Sequence, residues 1–158
     1  MNPTEVLVLA FLIGCVAGVR SMTAPAVVAW AARFNWLDLH GTRLSFMAST
    51  AAVIIFTVLA IVELIADMLP TTPSRLAPAG LSARIMLGAL AGSGIVLAGA
   101  QSLAFGAALG AAGGVAGALA GHAARVGLVK ALKVPDYVIA LLGDAVAIGG
   151  CLLIVTRL

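Results

Sequence analysis

The sequence predicts an all-α, polytopic membrane protein of about five transmembrane helices, or six if the first is broken in two. Three observations carry this. Of the 158 residues, 63% are hydrophobic and only 9% are charged; a globular domain usually carries about 25% charged residues, so this chain cannot coat a water-facing surface. The mean hydropathy is +1.18. The apolar residues fall in long runs with 18 glycines among them, and in lipid a helix satisfies its own backbone groups. Residues 1–158 read as a single transmembrane domain with no room for a soluble module.

The first apolar segment runs from about Thr4 to Ala32, 29 residues, where about 20 suffice to cross. It opens with Glu5 and no Lys or Arg, the wrong start for a signal peptide, so it reads as a retained first span. In its middle lies Gly18-Val19-Arg20-Ser21-Met22-Thr23-Ala24-Pro25. Pro25 lacks an N–H and crowds the preceding turn, which predicts a kink or a helix followed by a re-entrant stretch. Ser21 and Thr23 are the expected partners of the freed backbone groups.

The second segment runs from Phe46 to Leu69, closed by Pro70. The stretch from Pro70 to Ser82 contains Pro70, Pro73, Pro78 and Gly80 and reads as a loop. The third segment is Ala83 to Ala100, and Gln101-Ser102 leaves room only for a tight turn before the fourth, Leu103 to Leu132. Pro135-Asp136 opens the fifth, Tyr137 to Val155, with Asp136 suited to the positive end of the helix dipole. Segments one-two and four-five are a possible inverted repeat, as in many transporters. With five spans and the N-terminus inside, inner segments carry Arg75, Arg84, Arg125, Lys130 and Lys133 against Arg33, Arg43 and Arg157 outside. That imbalance favours the N-terminus inside. Trp30, Trp36 and Tyr137 are the expected interfacial anchors.

Glycines repeat at intervals of four: Gly14 and Gly18, Gly88 and Gly92, Gly106, Gly110 and Gly114, then Gly113, Gly117 and Gly121. Small residues at this spacing let helix backbones approach closely. Two offset stripes on the fourth segment predict a central helix approached from two directions. The spacing fits tight packing, a pore-lining helix or a contact between subunits, so a homo-oligomer, with a dimer favoured, is expected.

Intramembrane charges are expensive and are the first functional suspects. At 1.5 Å per residue, Glu63 lies about 10 Å and Asp67 about 4–5 Å from Pro70, and Asp144 about 12 Å from Asp136. Segment two ends on the side where segment five starts, so the three acids share one membrane half. Arg84, His122 and Arg125 arrive on that side too. Arg20, about 22 Å from Glu5, is placed toward the opposite half. The acids are read as the cation- or proton-binding group of a transporter or channel that moves a small ion or solute, since carboxylate oxygens suit hard cations. Arg20, Ser21, Thr23 and the break at Pro25 would shape the far side of the path. The competing reading is a non-transporting structural or lipid-interacting membrane protein in which arginines neutralise the acids in an internal ion-pair network. A water-accessible polar cavity reaching all three acids would favour transport, and acids sealed by arginines would favour structure.

Other classes find little support. There is no Gly-x-Ser-x-Gly, His-Glu-x-x-His or phosphate-binding loop, so no enzyme and no cofactor are expected. His40 and His122 are too separated to indicate a metal, and Cys15 and Cys151 stand outside any Cys-x-x-Cys array. The nine Lys and Arg are scattered, which predicts no nucleic-acid partner and loops that meet membrane lipid.

Three motifs bear a resemblance. Gly18-Val-Arg-Ser-Met-Thr-Ala-Pro, then Glu63-Leu-Ile-Ala-Asp67-Met-Leu-Pro70 with Thr72-Pro-Ser-Arg75, then Leu142-Gly-Asp144-Ala-Val-Ala-Ile-Gly, resemble in order and spacing a bacterial membrane family known as domain of unknown function 4126. The likeness spans almost the whole chain and implies a multi-helix inner-membrane protein with no established activity. In the family pattern a Lys often follows the acid matched by Asp67, and an acid often precedes the one matched by Asp144; here those positions hold Met68 and Gly143. The acids also resemble the paired acidic motifs of small cation exchangers, without their Glu-x-Gly-Asp-Lys pattern.

Overall fold

The computed structural model describes residues 2–67 and 77–157. Among them stand six α-helices: α1 Pro3–Val19, α2 Thr23–Arg33, α3 Thr50–Ala66, α4 Pro78–Ala98, α5 Leu103–Leu132 and α6 Asp136–Val155. A short 3-10 turn, Ser45–Ala48, precedes α3. Helices α4, α5 and α6, of 21, 30 and 20 residues, are long and apolar enough to cross a membrane.

Local chemistry explains the boundaries. The N–H of Asn2 donates to Glu5 Oε2 at 3.0 Å, and Pro3 opens α1 where its missing N–H costs nothing. The Ser49 hydroxyl accepts from the Ala52 N–H at 3.1 Å and caps α3. Pro78 likewise starts α4, so this helix begins five residues before the Ala83 expected from the loop reading. Gln101 and Ser102 do form the tight turn, with Ala100 at φ +55°. Lys133 ends α5 in the left-handed region, and Pro135 then blocks continuation.

Helix directions follow from contacts. Val6 of α1 packs on Gly99 beyond α4, while Gly18 meets Arg84 near the start of α4. The two are antiparallel. Gly14 lies against Gly110, and Gly18 against Gly114 and Gly117, so α1 and α5 run parallel. Val28 of α2 sits under Gly94, and Trp30 Nε1 donates to Thr57 Oγ1 of α3 at 3.0 Å. Helix α2 therefore returns alongside α1 toward the side where α1 began, and α3 runs antiparallel to it.

The stretch Thr4 to Ala32 is thus two helices reversing at Arg20-Ser21-Met22, and not one span. Continuous apolarity cannot distinguish a kink from a reversal. The described residues thus hold six helices, as expected if the first segment is broken in two. The inverted pairing of segments one-two with four-five also fails, because α1 and α5 are parallel.

Helices α1, α4 and α5 form the centre. Gly106 and Gly110 of α5 press on Gly92 and Gly88 of α4, while Gly113 and Gly117 press on the α1 backbone at Phe11 and Cys15. A Cβ at any of these positions would strike main chain. Both faces of α5 are thus used within one chain, and these glycines supply no reason to invoke a second copy. Buried Ala10, Ile13, Ala17, Ala91 and Ile95 fill the space between, and Val28, Leu37, Leu39 and Met47 extend the core beneath α2 and the segment after it.

Candidate functional site

The reversal between α1 and α2 exposes two sets of backbone groups. The end of α1 leaves carbonyls without helical partners, and the start of α2 leaves N–H groups. Charged side chains from other helices meet each set. Arg84 Nε of α4 donates to the Gly18 carbonyl at 3.0 Å, and its NH1 to the Gly80 carbonyl at 2.9 Å. A cation at a helix C-terminus is the favourable sign.

Glu63 of α3 faces the start of α2. Its Oε1 accepts from the Ser21 N–H at 2.8 Å and from the Ser21 hydroxyl at 2.5 Å, and its Oε2 accepts from the Met22 N–H at 2.8 Å. One carboxylate therefore caps a helix start from another helix, again with the favourable sign. Pro25 was expected to make the break. It instead sits fully buried in the first turn of α2, where its absent N–H would have had no helical partner. The Ala26 N–H makes the first helical bond, to the Met22 carbonyl at 3.1 Å. Thr23, buried in the same turn, and Ser21 were expected to satisfy the backbone themselves; Glu63 and Arg84 do that work.

Arg20 lies at the apex and is 0% exposed. Its guanidinium pairs with Asp67, just past α3, and with Asp144 of α6. Its NH2 also donates to the Ala140 carbonyl, one turn before Asp144, at 3.3 Å. Asp67 and Asp144 are 8% and 7% exposed. Arg125 of α5 adds a second cation, with NH1 3.8 Å from Asp67 Oδ2 and NH2 3.4 Å from the Asp67 carbonyl. Its Nε donates to Asp136 Oδ1 at 2.7 Å and its NH2 pairs with the other oxygen, a two-pronged contact. His122, half-buried on α5, joins none of these bonds.

The structure brings Glu63, Asp67 and Asp144 to one apex, as expected, and overturns the placement of Arg20. The estimate of about 22 Å from Glu5 was sound as a helix rise. The side was wrong, because it assumed a single crossing up to Ala32. With the chain reversing at residues 20–22, the same rise carries Arg20 to the acids. Depth agrees: Asp144 stands about 12 Å from the start of α6 and about 16 Å from its end. Asp144 thus lies near the middle of α6, a helix long and apolar enough to cross a hydrocarbon layer about 30 Å thick.

The three acids do not form a shared oxygen cage. Among the described residues, no group of three or more His, Cys, Asp or Glu is placed to hold a metal ion. Glu63 is spent on N–H groups and the aspartates on arginines. Ser21 to Pro25 does carry a local signal of a new helix start, a hydroxyl residue and then Pro in the first turn, but no signal of its Glu63 cap. Met68 to Arg75, part of the second motif, lies outside the described residues.

The family described as Domain of unknown function (DUF4126) matches residues 7–156, nearly the whole chain. The chain belongs to the DUF4126 family. The match takes in the α1–α2 reversal, the α3 acids and Asp144. No curated protein and no solved structure matches it.

Proposed function

We propose that this DUF4126 protein is a multi-pass protein of the bacterial inner membrane whose intramembrane charges form an internal ion-pair network. Its role is then structural or lipid-interacting, without enzymatic activity and without an open ion path. The observation that supports this is Arg20, wholly buried with one aspartate from the end of α3 and one from α6 against it. Charges inside a membrane commonly pair with one another, and here the pairs join three helices.

The reversal also changes the orientation argument. The start of α1 shares a side with Arg33, Arg43 and Arg157, while Arg125, Lys130 and Lys133 lie on the other. These basic residues stand three against three, so the imbalance that favoured the N-terminus inside no longer favours either orientation.

A second reading has one observation in its favour. The helix break meets α6 near its middle, at Asp144, and carries ionisable groups, as the discontinuous helices of transporters do. In that case the described state is an occluded one, and protonation of Asp144 would release Arg20. Proteoliposome flux separates the two. The network reading expects proton, sodium and potassium leak equal to that of empty liposomes for the wild type, and a lowered melting temperature for Asp144→Asn. Flux in the wild type that Asp144→Asn abolishes without changing the melting temperature would establish transport instead.

A further inference from the structure

A second polar feature lies at the far end of α2 from the Arg20 cluster. An apolar groove of about 280 Å³ runs between α2 and α3, walled by Trp30, Val53, Ile54 and Val58, with Arg33 and Thr50 at its mouth. Trp30 Nε1 is spent across its floor on Thr57 Oγ1. The side wall of the mouth is aromatic: Trp30 stacks on Phe34 at 5.3 Å between ring centroids, and Phe34 lies 5.7 Å from Trp36. These three rings are 41%, 55% and 52% exposed.

The parts fall in an order that matches one kind of molecule. Exposed Trp, here Trp30 and Trp36, marks the headgroup level of a bilayer. Arg33 ends α2 at that level and has no acid partner among the described residues. Below it the groove is lined by aliphatic side chains, with Ile54 and Val58 open to the lipid side at 56% and 51% exposure. A cation at the rim and an aliphatic channel beneath complement a phosphate and an acyl chain joined in one molecule. Arginine suits this rim because its planar fork binds phosphate oxygens in two-point contacts.

We infer that the α2–α3 groove binds one anionic phospholipid, with its phosphate on Arg33 and an acyl chain along Val53, Ile54 and Val58. This deepens the lipid-interacting part of the function proposed above. The flux assay and the lipid assay can fail separately, since the groove and the Arg20 cluster lie at opposite ends of α2. An anionic headgroup gains about 1 kcal/mol from one Arg near the surface, which corresponds to about a fivefold preference over a zwitterionic lipid.

The test reconstitutes the full chain in nanodiscs of equal phosphatidylglycerol and phosphatidylcholine, then counts retained lipid by native mass spectrometry. The expected result is phosphatidylglycerol enriched about fivefold on the wild type. Arg33→Gln should bring the ratio to parity, Arg33→Lys should keep a preference, and Val58→Trp should reduce retention of both lipids. Arg43→Gln, outside the groove, should change nothing. Equal retention by the wild type, or a ratio unmoved by Arg33→Gln at unchanged helicity, overturns the proposal. So does a lipid-free dimer that Val58→Trp dissociates, because a second copy would then fill the groove.

Discussion

The glycine seam of α1, α4 and α5 and the charged apex above it hold helices together by opposite means. In the seam, backbones touch because side chains are missing; Gly110 sits against Gly14 on one side and Gly88 on the other. At the apex, long side chains reach across gaps to meet backbone ends and each other. The seam uses many weak dispersion contacts, each about 0.1–0.2 kcal/mol. The apex uses a few charge-assisted bonds, each roughly twice a neutral one. The lesson is that the seam fails when an atom is added and the apex fails when one is removed.

The largest effect should come from removing Arg20. Arg20→Ala leaves Asp67 and Asp144 facing each other, and breaking a buried pair from one side costs about 3–5 kcal/mol. Thermal unfolding in detergent should show a marked loss of melting temperature for Arg20→Ala. Neutralising Asp144 as well, in Arg20→Gln/Asp144→Asn, should recover part of it. Stability unchanged by Arg20→Ala would remove the apex from the comparison.

An added methyl should weaken the seam next. Gly110→Ala drives a Cβ into the Gly88 carbonyl, and overpacking of this kind costs about 1–3 kcal/mol. Gly127→Ala is the control, with open space around its position. Equal melting temperatures for the two variants would show that the seam gives way freely.

The smallest effect belongs to Glu63→Gln. The amide keeps an oxygen for one N–H of α2 but loses the charge, which makes the cost about 1–2 kcal/mol, in the range of a lost helix cap. Exchange of the Ser21 and Met22 amide hydrogens should quicken more than exchange in α4. Protection unchanged at those two amides would mean that the cap is not what holds the start of α2.

Legibility in the sequence divides along the same line. The seam was readable because spacing by four fixes which side of a helix a glycine occupies, and the two offset stripes on α5 correctly indicated approach from two directions. The turn at Gln101-Ser102 and the acid at Asp136 were readable for similar local reasons. At the apex, the shared face of Glu63 and Asp67 was readable, but their separate partners were not. Those partners depend on the reversal at residues 20–22, and an apolar run carries no mark of its direction. A helix rise alone gives the distance of Arg20 from Glu5, and only the reversal between α1 and α2 puts it on the side of the acids.

The apex also sets an order of assembly. Arg20 lies near the start of the chain, and its acceptor at Ala140 is 120 residues further on. During synthesis from the N-terminus the α1–α2 hairpin enters the membrane long before α6 exists. Until then Arg20 has Asp67 but neither Asp144 nor the Ala140 carbonyl. The hairpin must be held by its neighbours or stay near the surface while four more helices are made. Closing of α6 over the apex thus marks completion of the fold, and a chain cut before α6 lacks Asp144 and the Ala140 carbonyl against Arg20.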